Sequence, residues 1–163
     1  MKKIKNKKGF TLIELLAAVV ILGILMLVAI PRVSKYIEDS RKNAFVDTAK
    51  AYVQAARYKI LNGEINCESG QSVLFSALPD VDKGEKSSYG KTIDTANSFV
   101  KFEIVDSKYV YSVYMQEGNG GNHFIGDSST KAAGVVKEDD LDKGNVQTGT
   151  PSITIPSGNS LCS

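Results

Sequence analysis

Glu14 is the one ionisable side chain in residues 10–30, a stretch otherwise composed of Phe, Leu, Ile, Val, Ala, Met, Thr and Gly. A carboxylate in hydrocarbon costs a few kcal/mol on insertion scales, so an acid kept at that depth is expected to be functional and to have a partner, here a cation. Other residue types offer less chemistry. His123 is the single histidine, and with no second histidine and no Cys-x-x-Cys it anchors neither a zinc site nor a usual catalytic triad. It is expected to be a surface or strand residue. Asp80-Val81-Asp82-Lys83-Gly84 and Asp140-Leu141-Asp142-Lys143-Gly144 suggest calcium by composition, but an EF-hand loop needs its Gly at the sixth position, so solvated turns are expected. No Gly-rich phosphate loop or nucleophile motif appears, and neither an enzyme nor a cofactor is expected.

Glu14 needs an element to carry it. As a helix at about 1.5 Å per residue, residues 10–30 cover roughly 32 Å, enough to cross a bilayer core. Lys2, Lys3, Lys5, Lys7 and Lys8 precede this segment, and lysine beside a span is held on the cytoplasmic side, so the rest of the chain faces outward. The formal charge of +2 becomes −3 without those five lysines, so the basicity belongs to the leader and no nucleic-acid partner follows from charge. Residues 31–163 suit one soluble domain of ordinary size. Cys67 and Cys162 lie on the outward side, where a disulfide can persist. A bridge would close a long loop and contribute roughly 4 to 5 kcal/mol in the chain-entropy model; two unpaired thiols are the alternative.

Helical character continues past Pro31, because residues 32–62 contain no Gly or Pro and end at Gly63, a residue favoured just beyond a helix. One helix of about 80 Å over residues 10–62 is therefore expected. Pro31 removes a backbone donor and opposes the carbonyl one turn earlier, predicting a kink or local loss of helix near residues 27–31. In the second half Phe45, Ala49, Tyr52, Ala56 and Ile60 fall on one side, flanked by Val46 and Val53 and, on the other edge, by Ala44, Ala51 and Ala55. Opposite lies a polar strip of Asn43, Asp47, Lys50, Gln54 and Arg57, expected to face water. So wide an apolar band suits a helix packed on its own sheet and on neighbouring copies; a well-buried core helix is the alternative.

Residues 63–98 are irregular, with one apolar knot at Val73, Leu74, Phe75 and Leu78. Residues 99–105 and 109–116 read as strands of an antiparallel hairpin joined through Asp106-Ser107-Lys108. Further short strands are expected at residues 123–125, 132–136 and 152–155, the last between Pro151 and Pro156 and so at an edge. The fold class is α+β, a long N-terminal helix whose second half packs on a small antiparallel sheet.

The run Lys7-Lys8-Gly9-Phe10-Thr11-Leu12-Ile13-Glu14-Leu15-Leu16 resembles the processing site of type IV prepilins: a basic leader (class III signal peptide), Gly, Phe or Met, then Thr-Leu-Ile/Val-Glu-Leu. The specific match covers about the first 31 residues. Beyond them the likeness is architectural and includes Leu78-Pro79 and Ser88-Tyr89-Gly90 between helix and sheet. The resemblance implies cleavage by a prepilin peptidase between Gly9 and Phe10, N-methylation of Phe10, and retention of the apolar segment. An uncleaved signal anchor or an ordinary signal peptide is the alternative, but Leu27-Val28-Ala29 before Ile30-Pro31 is a poor small-x-small site. It also implies that Glu14 meets the Phe10 amine of a neighbouring subunit; pairing within one chain is the rival. Many pilins carry a C-terminal disulfide, commonly between cysteines closer in sequence than Cys67 and Cys162.

The implied domains are a leader (1–9), an assembly half of the helix (10–30), its second half (31–62), and a globular remainder with αβ-loop, sheet and C-terminal loop region (63–163). The implied function is a subunit of a surface filament for adhesion or twitching, homo-polymeric, membrane-inserted before assembly and dependent on an assembly ATPase and platform proteins. A pseudopilin of a type II secretion or competence system is the alternative. A monomeric membrane-anchored binding or enzymatic domain would leave Glu14 without a purpose. The lysine-rich leader and absence of Trp fit a Gram-positive source.

Overall fold

The computed structural model describes residues 9–78, 81 and 86–162. The leader lysines and four of the five residues of the 80–84 motif lie outside the described residues. The chain divides into two compact units, Met1–Glu38 and Asp39–Ser163.

One helix, α1, runs over Leu12–Leu61. Its end is set by Gly63, whose φ of +72° places it in the left-handed region that a glycine enters without a Cβ clash. The Gly63 N–H donates to the Ile60 carbonyl at 3.2 Å and the Glu64 N–H to the Lys59 carbonyl at 2.9 Å, the paired bonds of a Schellman terminus. Helix is continuous through residues 27–31, so the expected local loss of helix around Pro31 does not occur. A single missing N–H removes one bond from a ladder whose neighbours on both sides remain in place. In the first unit every described side chain in residues 10–37 is exposed, including all the large aliphatic ones.

In the second unit Phe45, Val46, Ala49, Tyr52, Val53 and Ala56 of α1 are buried. They pack against a four-stranded antiparallel sheet of order β1-β2-β3-β5, in which β1 is Ser72–Leu74, β2 Phe99–Val105, β3 Lys108–Tyr114 and β5 Val136–Lys137. Alternation sorts the central pair by face. Val100 opposite Val113 and Phe102 opposite Tyr111 join the helix in the main core, whereas Phe99 opposite Tyr114 joins a second cluster with Phe124. The β2–β3 turn is tighter than expected: Asp106 and Ser107 both adopt positive φ (50° and 62°), so two residues make the reversal and Lys108 already belongs to β3. Positive φ at both central positions gives a hairpin turn whose twist matches that of its strands.

The apolar knot resolves into β1 followed by a 3-10 turn over Phe75–Ala77, with Phe75 and Leu78 fully buried. β4, His123–Ile125, falls at the expected position but pairs with β6, Val146–Thr148, in a separate two-stranded sheet. Residues 152–155, expected as an edge strand, form none. Two prolines without N–H groups leave little ladder to build, and Ile153 and Ile155 instead lie against the Phe99, Tyr114 and Phe124 cluster on the second face of the sheet. Cys67 and Cys162 are joined in a disulfide with Cα atoms 4.6 Å apart. Beside it the Cys162 N–H donates to the Ser72 carbonyl at 3.0 Å, and Leu161 bridges Ser72 in parallel, so the last residues cover the free edge of β1.

Candidate processing and assembly segment

Gly9 and Phe10 precede the helix in exposed, irregular backbone. A peptidase needs an accessible bond, and both residues that flank this one are exposed. A Cβ added at Gly9 would meet nothing within 4 Å, so the fold itself does not demand glycine there.

Thr11 starts the helix. Its carbonyl accepts the first helical bond, from the Leu15 N–H at 3.2 Å, and its hydroxyl oxygen receives the Glu14 N–H at 3.4 Å. In return Glu14 Oε2 accepts the Thr11 N–H at 2.8 Å and the Thr11 hydroxyl at 2.7 Å. This is a capping box, in which the third residue of the first turn satisfies the N–H of the cap. The acid singled out for depth in a membrane thus also closes the top of its own helix. Sequence reasoning missed this second role, although Thr-x-x-Glu ahead of an apolar run is its standard signal. Within the described residues the Glu14 carboxylate is held by Thr11, one residue on from the Phe10 nitrogen that cleavage would turn into an amine.

In the polar strip of α1, Asn43, Asp47 and Gln54 are exposed as expected, while Lys50 and Arg57 are half-buried. Gln54 Nε2 donates to Glu138 Oε1 at 2.7 Å, and Arg57 pairs with the same carboxylate while its guanidinium lies 4.8 Å from the centroid of the Tyr111 ring. Burial raises the Tyr111 hydroxyl above its ordinary pKa, with the Arg57 charge opposing.

His123 opens β4 and lies over a second polar cluster. Its Nδ1 is 2.7 Å from Glu117 Oε2, its backbone N–H donates to the same oxygen at 3.1 Å, and its ring stacks on Tyr89 with centroids 3.5 Å apart. The Ser87 hydroxyl donates to the other carboxylate oxygen. Serine, histidine and acid are all present, but the hydroxyl gives its proton to the acid rather than to the imidazole, so the order needed to activate a nucleophile is absent. Burial pushes the Glu117 carboxyl up, and the bonds from Ser87 and His123 more than reverse this, leaving it below the usual carboxylate value. Gly121 lets the chain pass this cluster, since a Cβ there would collide with the Glu117 side chain.

The second acidic motif is a turn. Asp142 Oδ1 accepts the Gly144 N–H at 2.7 Å, Asn145 Oδ1 accepts the Asp142 N–H at 2.9 Å, and Lys143 Nζ lies 2.8 Å from Asp39 Oδ2. Among the described residues no group of three or more His, Cys, Asp or Glu could hold a metal ion.

Residues 4–30 match the prokaryotic N-terminal methylation motif. The chain is similar to fimbrial proteins. Two fimbrial proteins of Pseudomonas aeruginosa are similar to it: one is 41% identical over 104 residues, covering 64% of this chain and 63% of that protein. The other is 41% identical over 75 residues, 46% of this chain and 44% of its own length. The pilin-like chain therefore spans less than two thirds of either relative. No solved structure matches it. The methylation motif contains Gly9, Phe10, Thr11 and Glu14, the pilin-like residues that meet at the top of α1.

Proposed function

We propose that this chain is the structural subunit of a type IV pilus, inserted in the membrane through residues 10–30, cut between Gly9 and Phe10 by a prepilin peptidase, methylated at the new Phe10 amine, and polymerised into a surface filament. The observation that carries the reading is the membrane-length apolar stretch at the start of α1, residues 10–30, with every side chain exposed and a single acid at the capped helix start. Such a surface is stable in lipid, or against other copies of itself, and in few other surroundings.

Assembly exchanges lipid contacts for contacts between helices. Ala44 and Ala51 remain exposed beside the buried stripe of α1, which leaves close-approach positions for neighbouring subunits along the second half of the helix. Glu14 offers its carboxylate to a neighbour's Phe10 amine, and pairing two charges in a dry interior offsets part of the desolvation cost of each. Cys67 and Cys162 hold the globular part together outside the cell. The fimbrial relatives favour a pilus over a pseudopilin. The role is structural rather than enzymatic, and extension and retraction fall to a separate assembly ATPase and platform.

N-terminal sequencing and mass measurement of the mature protein test the processing step: a chain beginning with methyl-Phe10 is expected, and an intact leader would overturn it. Electron microscopy of cells carrying an epitope-tagged copy tests the destination. Extended labelled fibres are expected, and short stubs confined to the envelope would select the pseudopilin reading instead.

A further inference from the structure

We propose that Arg32, Lys35 and Tyr36 form an outer anchor that holds the processed subunit against anionic phospholipid headgroups until it is taken into a filament. The inference rests on the membrane insertion argued above. It deepens that reading by naming the lipid partner.

If Ile30 marks the end of the hydrocarbon core, the standard helical rise puts Arg32 about 3 Å beyond it and Lys35 about 7 to 8 Å beyond it. The headgroup layer is roughly 5 to 7.5 Å thick on each side of the core, so the Arg32 backbone falls within it and the Lys35 backbone at its outer limit. Helical side chains tilt toward the N-terminus, which here is toward the bilayer, so the long Lys35 and Tyr36 chains lean back into the headgroups. The first acids, Glu38 and Asp39, come about 12 to 14 Å beyond Ile30. Asp39 is paired with Lys143.

The three residues also share a face. At about 100° per residue, Arg32, Lys35 and Tyr36 fall within an arc of roughly 100°. All three are exposed, Tyr36 at 76%. A cation pair beside a Tyr is the composition of a membrane interface: the cations meet phosphates and the ring lies at headgroup level. Proteolysis gives the anchor its use. The precursor has basic residues at both ends of the span, five lysines before it and Arg32 and Lys35 after it. Cutting after Gly9 removes the five and leaves the outer pair, so the processed helix is gripped chiefly at the face from which it must depart.

The test uses the processed chain reconstituted in vesicles of phosphatidylcholine containing phosphatidylglycerol as the minority lipid, with spin-labelled copies of each lipid reporting which one contacts the protein. At low salt the chain is expected to prefer phosphatidylglycerol by at least about twofold, a preference that weakens at high salt. The double variant Arg32→Gln/Lys35→Gln should lower the ratio to near one, whereas Arg32→Lys/Lys35→Arg should preserve it. Wild-type protein without preference, or a double variant that keeps it, would overturn the anchor. The readout needs no filament, so loss of fibres with lipid preference intact would count against the proposed function alone.

Discussion

Tyr52 of α1 lies face to face with Phe75 of the turn after β1, their ring centroids 3.8 Å apart and their planes within 11°. Both residues are almost wholly buried, and the contact joins the long helix to the segment that carries the chain into the sheet. Tyr52→Ala would remove a large aromatic from a packed interior and is expected to destabilise the globular part by about 3 to 5 kcal/mol. Chemical denaturation of the detergent-solubilised protein measures this, and a loss below about 1 kcal/mol would show that the stack is incidental.

Glu117 makes stability depend on acid. Its folded carboxyl titrates below the ordinary glutamate value, so its contribution is present above about pH 4.3 and is lost as pH falls from there through the folded value. Glu117→Gln is expected to flatten that part of the stability curve. It should also cost about 1 to 3 kcal/mol at neutral pH, because a buried amide cannot accept every bond the carboxylate accepts. Thermal melts across pH 3 to 7 give the comparison; parallel curves for the two proteins would contradict the assignment.

The Cys67–Cys162 bridge spans 95 residues of sequence. Cys162→Ser should lower stability by roughly 4 to 5 kcal/mol in the chain-entropy model and free the terminal residues from the edge of β1. Hydrogen exchange at the backbone amide of position 162, bonded to the Ser72 carbonyl in the native chain, would rise sharply in the variant. Unchanged protection there would mean that the backbone bonds suffice without sulfur.

Glu14→Ala should leave cleavage after Gly9 intact and abolish filaments. The capping role separates two explanations. Thr11→Ala removes the hydroxyl that holds the carboxylate and weakens the helix start by about 1 kcal/mol, yet keeps the acid for a neighbour. Fibres are expected from Thr11→Ala and not from Glu14→Ala; equal loss in both would assign the defect to the cap.

The long helix could be read from sequence because its signals are local: uninterrupted helix formers after Pro31, and Gly63 where a left-handed residue is required. The central hairpin was legible for the same reason, in two runs of β-branched and aromatic residues around Asp106-Ser107. The β4–β6 pairing was not, since neither three-residue strand has enough length to show a period, and the two prolines near residues 152–155 drew attention to the wrong segment. Glu138 was missed because its partners Gln54 and Arg57 lie more than 80 positions away. The site at the chain start was visible in its residue types, whereas the hydrogen bonding of Thr11 to Glu14 needed the three-residue spacing to be read as a helix cap.

Because Thr11 already feeds Glu14 two hydrogen bonds, the carboxylate of an arriving subunit is never bare. On the proposed pairing, docking would then be a swap of donors rather than a fresh stripping of solvent. A fibre jointed in this way could be taken down link by link and its parts returned to the bilayer ready for another round.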